Sequence, residues 1–224
     1  VLGEHFERGG ERSRAVAHYH RAAEQALSGN DLEGAIARAE RAIACGAEGE
    51  ELGLLRLVQA EAHTWRGERV EAERVGIEAM SHIERGAPAW FEAAGIVGTA
   101  AGRCGHQEVF VRTAQAVRES ASSEQPPERK VTALATLAWQ AAQAGAPDLV
   151  SVLLQEAEHL SHARGCSEPH TAASISQARR RKAERRGDMW ESLVASRKTQ
   201  EYFRRSGALR DACHNQVAVA YSLA

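Results

Sequence analysis

The sequence predicts an all-α protein, and three observations predict it. Turn-forming residues recur along the chain at nearly regular intervals. Between them, apolar residues return at helical spacing. Strand signals are nearly missing, with no alternating run of Val, Ile, Thr and Tyr longer than a few residues. The composition agrees: Ala, Arg and Glu dominate the 224 residues and aromatics make up 5%.

Taken in order, the periodicity predicts about twelve antiparallel helices, over 1–9, 11–28, 31–45, 50–66, 68–84, 88–103, 106–121, 126–144, 147–164, 168–186, 189–206 and 208–224. The breaks carry Gly9-Gly10, Gly29-Asn30, Gly46, Gly67, Gly86, Gly105, Gly145, Gly165, Gly187 and Gly207, residues able to end a helix in the left-handed conformation. Asp31, Ser167 and Asp188 stand where a side-chain oxygen caps the next helix. Pro88, Pro126, Pro127, Pro147 and Pro169 fall at or just inside helix starts, where the missing N–H is no loss. In 126–144 the apolar stripe is Val131, Leu134, Leu137, Ala138, Ala141 and Ala142. In 147–164 it is Leu149, Val150, Val152, Leu153, Leu154, Ala157 and Leu160, broad enough to meet helices on two sides. The one long polar connection, Glu119 to Arg129, reads as a flexible loop too short to be an interdomain linker. A single helical-repeat domain over 1–224 follows.

The repeat is the strongest signal. A turn residue is followed five positions later by a small or apolar residue at Asn30/Ala35, Gly67/Ala72, Gly105/Phe110, Gly145/Val150 and Gly187/Ser192, at intervals of 37, 38, 40 and 42 residues. Each period holds two helices. A helical pair cannot bury its own apolar face, so repetition at this length reads as a stacked α-solenoid. Gly10/Ala15 and Gly207/Ala212 follow the same rule in the opposite register: the Gly10 pair makes 11–28 a second helix, the Asn30 pair makes it a first.

Leu2-Gly3 with Phe6, the Gly10 turn, Ala15, Tyr19 and Ala22 resemble a tetratricopeptide (TPR) repeat, with small and large residues at the family's offsets. Ala60, Gly67, Ala72 and Ala79 resemble a second copy, and Leu137-Ala138, Gly145 and Ala157 a weaker third. The resemblance implies a right-handed TPR-like solenoid. The chain departs from the family in its longer periods, in Leu27 at the usual terminal Pro, and in Gly76 at a position usually large. The opening stretch from His5 to Leu27, and Tyr202–Ala212, resemble the C-terminal repeat region of large bacterial signalling proteins. In those, a Ser/Thr kinase or cyclase domain and a STAND-type ATPase precede the repeats.

Several function classes are excluded or disfavoured. The formal net charge of −2 and pI near 6.6 argue against a general nucleic-acid or anionic-membrane binder. No apolar run approaches a membrane span, and no signal peptide opens the chain. The phosphate loop, the dinucleotide Gly fingerprint, the kinase signatures, GxSxG, HExxH and the EF-hand loop are all missing. No catalytic residue and no cofactor is therefore expected. Val1 is not an initiator Met and the opening residues read as the end of a helix, so the chain is expected to be a fragment of a longer protein. Cys45, Cys104, Cys166 and Cys213 are scattered singly, the usage of apolar filler in a reducing, cytoplasmic setting.

Two constellations merit weighing. His159, His162, Cys166 and His170 have the softness of zinc ligands, but Gly165 and Pro169 break the helix between them. The expectation is a helix C-terminus with favourably placed histidines and a buried thiol. The clearest charge feature is the basic run at Arg179–Lys182 with Arg185-Arg186; from Ser176 to Arg210 there are 11 Lys/Arg and 4 Asp/Glu. Its plain reading is a solvated helix face. Its sharper reading is a binding face for an acidic or phosphorylated partner on Arg179, Lys182 and Arg186, which share one side of the helix. No aromatic interleaves the run to stack bases. Of Trp65, Trp90, Phe91, Trp139, Trp190, Tyr202 and Phe203, most are expected to pack between helices, with one or two left as peptide anchors.

These observations point to a non-catalytic protein-interaction, scaffold or regulatory module of a bacterial multidomain signalling protein. Its partner would be a protein, a peptide or the parent's own catalytic domain. The alternative is a solenoid that senses a small molecule and regulates an attached ATPase or kinase.

Overall fold

The structure is a computed structural model that describes residues 2–207 together with 212, 213, 215 and 216. Among the described residues there are eleven helices and no strand: α1 Leu2–Arg8, α2 Arg12–Ser28, α3 Leu32–Ala44, α4 Gly49–Arg66, α5 Arg69–His82, α6 Pro88–Cys104, α7 Gln107–Glu119, α8 Glu128–Gln143, α9 Pro147–Arg164, α10 Pro169–Arg186 and α11 Met189–Ser206. The twelfth expected segment, 208–224, lies outside the described residues apart from those four. The chain divides into two compact units, 1–113 and 114–224. Among the described residues no helix is long and apolar enough to cross a membrane.

The turn rule has a physical basis in the backbone. Asn30, Gly67, Gly105, Gly145 and Gly187 all take positive φ, between 63° and 78°, which reverses the chain at the end of a helix. The residue five positions on then sits in the second turn of the next helix, facing back. Ala35, Ala72, Phe110, Val150 and Ser192 are accordingly all buried. At the first of these turns Gly29 keeps an ordinary φ of −79° and Asn30 takes the left-handed position, which Asn tolerates better than most residues with a side chain.

In the first unit each helix from α1 to α6 packs on the next, and α4 also touches α2 and α6. The core runs through Ala15, Tyr19, Ala23, Ala35, Ala39 and Leu55, with Phe6 and Leu32 against it. So small a set of side chains draws the helices close. A Cβ on Gly3 would stand 2.9 Å from the Tyr19 ring. The departure at Gly76 has the same cause: a Cβ there would lie 2.7 Å from a Val97 methyl, so α5 and α6 meet through the bare backbone.

In the second unit α8 packs on α9 and α10, α9 on α10, and α10 on α11. The expected stripe of α8 is buried throughout. That of α9 is narrower than expected: Val150, Leu153, Leu154 and Ala157 are buried while Val152 is exposed. Asp31 and Asp188 cap α3 and α11 as expected, each accepting from a backbone N–H at 2.9 Å. Ser167 does not cap α10. The buried Glu128 of α8 instead anchors the segment that leads into α10, its Oε1 accepting from the backbone N–H of Ser167 (2.7 Å) and Glu168 (3.1 Å). Pro88, Pro147 and Pro169 open their helices, whereas Pro126 and Pro127 precede α8. The polar connection after α7 is tied down. Lys130, 9% exposed, donates to the carbonyls of Arg118 (3.0 Å) and Ser120 (2.9 Å), and Glu124 accepts from the backbone N–H of Arg129. Burial, with repulsion from Arg118, holds the Lys130 ammonium below its usual pKa, against the attraction of Glu156.

Candidate functional site: a basic cleft on the second unit

Helix α10 starts at Pro169, whose missing N–H suits the first turn, and ends at the left-handed Gly187 (φ 75°). Its C-terminal half carries the basic run, where the helix dipole favours cations. The six basic side chains have different fates. Arg179 Nε donates to Glu158 of α9 at 2.6 Å. Arg180 and Arg181 both pair with Glu184, and Arg181 also donates to the Gln143 side chain of α8. Arg185 donates to the carbonyls of Ala142 (2.8 Å) and Gln143, satisfying acceptors that the end of α8 leaves without helical partners.

Lys182 and Arg186 are different. Among the described residues neither has an acidic partner or a hydrogen bond. Together with Arg185 they line a cleft of about 470 Å³, whose other wall is the α8–α9 turn and the first turns of α9, with Ala142, Ala146, Pro147, Val150 and Ser151. The cleft is thus apolar on the α8–α9 side and cationic on the α10 side. Helix α9 opens at its edge without a side-chain cap, so its first-turn N–H groups and positive dipole end add to the same sign of potential.

Of the three residues expected to form one binding face, the structure brings Lys182 and Arg186 into the cleft and gives Arg179 to Glu158. The α8–α9 wall had no signal in the sequence, because only packing brings Pro147 and Val150 opposite Lys182 and Arg186, more than thirty residues later. Among the described residues Trp190 is the large aromatic left open to solvent, 75% exposed in the first turn of α11 beside the exposed Met189. Trp90, Phe91 and Phe203 are buried, as expected of packing residues.

The His159, His162, Cys166, His170 set is dispersed. His159 and His162 are exposed on α9, Cys166 lies half-buried beyond the Gly165 cap, and the His170 ring meets Phe203 at 5.7 Å. The Cys166 thiol is pushed up to about 11 by burial and by the neighbouring Glu128 carboxylate. A different trio converges in the first unit. Among the described residues Glu73, Cys104 and His106 bring one ligand atom each to within 4.8 Å of one another. Nothing in the sequence singled them out.

No family model matches this chain, and no curated protein matches it.

Proposed function

We propose that the chain is a non-catalytic helical-repeat interaction module, the TPR-like solenoid region of a bacterial multidomain signalling protein in the cytoplasm. In this reading its second unit receives an acidic or phosphorylated segment of a protein partner, or of the parent's own catalytic domain, at Lys182 and Arg186. The observation that carries it is the contrast within α10: four of six basic side chains are engaged by carboxylates or carbonyls, and the two that are not face a common cleft. A cation left without a partner beside apolar surface is available for a charge-assisted bond to a carboxylate or phosphate. The solenoid reading is supported by the burial five residues after each turn and by the shared contacts of α2, α4 and α6. That run of contacts favours the register set by Asn30, with α2 as a first helix.

A second reading, a small anionic metabolite as the ligand, is favoured by the cleft's volume, which falls in the range of small-molecule sites. Fluorescence anisotropy with a phosphorylated peptide and its unphosphorylated form, competed by inorganic pyrophosphate, separates the two. A protein-segment site binds the phosphopeptide with Lys182→Glu/Arg186→Glu weakening it at least tenfold and Arg179→Glu less than twofold. Equal binding by the double variant and the native chain would overturn the assignment. Binding of pyrophosphate alone would select the metabolite reading.

A further inference from the structure

Glu73 lies one turn into α5, in the face that packs on α6, and is buried. Cys104 is the last residue of α6 and is half-buried, and His106 follows the left-handed Gly105 (φ 77°). That turn folds His106 back over the helix end, where its N–H donates to the Ala101 carbonyl at 2.9 Å. The consequence is that His106 Nδ1 stands 2.8 and 2.9 Å from the two carboxylate oxygens of Glu73, with the Cys104 thiol completing a set whose ligand atoms lie within 4.8 Å of one another.

From this juxtaposition we infer that Glu73, Cys104 and His106 form a binding site for a soft or borderline divalent cation, zinc being the best match. Thiolate, imidazole and carboxylate are the ligand types that zinc takes, at distances of about 2.0–2.3 Å. Tetrahedral geometry at those lengths puts ligand atoms roughly 3.3–3.7 Å apart, so the observed set closes on an ion through side-chain rotation, without moving α5 or α6. The charges also match. One thiolate and one carboxylate neutralise the divalent ion, so the buried Glu73 gains a compensating charge instead of a net one. Three protein ligands leave a fourth position on the solvent side, where His106 is 47% exposed. The ion replaces the bond between Glu73 and His106: the Nδ1 proton shared with the carboxylate leaves to solvent, as does the Cys104 thiol proton, when the ion binds. With the ion absent, that bond holds the two side chains facing the same point.

The test is cobalt substitution of the chelator-treated chain, because cobalt reports both geometry and sulfur ligation in its absorption. The expected result is one equivalent of bound cobalt with tetrahedral ligand-field bands and a thiolate-to-cobalt charge-transfer band, all displaced by zinc. Cys104→Ser should abolish the charge-transfer band, and His106→Ala should weaken zinc at least tenfold. Zinc should raise the Tm of the native chain in step with the logarithm of its concentration. Cys104 and His106 lie at a helix end, so both variants should fold, and circular dichroism checks that they do. A charge-transfer band that survives in Cys104→Ser would assign the metal to another cysteine and overturn the proposal. So would equal zinc affinity in native and His106→Ala chains, or no binding at all.

Discussion

In the first unit Arg41 reaches Glu7 at 2.6 Å and Glu4 at 3.1 Å, while Tyr19 donates to the same Glu7 at 2.7 Å and the Arg41 guanidinium stands over its ring. In the second unit Glu184 holds Arg180 and Arg181 from one helix turn away and the end of α8 holds Arg185, while Lys182 and Arg186 stand without partners among the described residues. The two regions use the same residue types differently. At the α1–α2–α3 corner each charge closes a contact between helices. On α10 the carboxylate supply runs out before the cations do, and the surplus faces a cleft. Charge surplus after internal pairing, not charge density, is what separates a structural network from a candidate site.

The comparison breaks most visibly at Glu184. Its replacement by Ala leaves Arg180 and Arg181, part-buried in the structure, without a counter-charge. We expect a loss of about 2–3 kcal/mol in urea unfolding. Lys182→Ala and Arg186→Ala, by contrast, should change stability by less than about 0.5 kcal/mol. If the alanine variants proved as destabilising as Glu184→Ala, the distinction between structural and surplus charge on α10 would fail.

A somewhat smaller loss, about 1–3 kcal/mol, is expected for Lys130→Met, which keeps the apolar stem but leaves the Arg118 and Ser120 carbonyls without their donor. Chemical unfolding measures the loss, and hydrogen exchange at 119–129 should accelerate with it. Unchanged exchange there would show that the connection is held by something other than this ammonium.

The smallest effect at neutral pH, and the most diagnostic, belongs to the Glu7 corner. The Tyr19 hydroxyl, then Arg41, hold the Glu7 carboxyl below its ordinary pKa. A depressed carboxylate contributes stability above its unfolded pKa and loses that contribution as the pH falls through the folded one. Tyr19 is pushed up to about 12, first by burial and then by Glu7. Its contribution is present below the ordinary tyrosine value and is lost as the pH rises from there through about 12. Thermal midpoints against pH should therefore show an acid limb weakened in Glu7→Gln and an alkaline limb weakened in Tyr19→Phe. Limbs unaltered in both variants would remove the corner from the account of unit one.

Much of the helical order was legible because it is local. Gly67, Gly105 and Gly187 end helices through a backbone conformation, and Pro88, Pro147 and Pro169 start them through a missing donor. Neither signal needs a neighbour in space. The helix starts were legible only where the partner was local: Asp31 and Asp188 bond residues three positions on, while the entry into α10 is held by Glu128, some forty residues earlier.

The same line divides the sites. By itself the sequence determined that the chain is helical, that its helices pair across turns spaced 37 to 42 residues apart, and that α10 carries the surplus of positive charge. Only the tertiary structure decided which of those cations are engaged and which face a cleft, and that Glu73 meets Cys104 and His106. The reason is one of range. Turn and helix preferences are set within about five residues, so they are written along the chain. The contacts of Arg181 and Arg185 with the end of α8, and of His106 with Glu73, join groups more than thirty residues apart, whose meeting depends on how closely Ala- and Gly-rich helices pack.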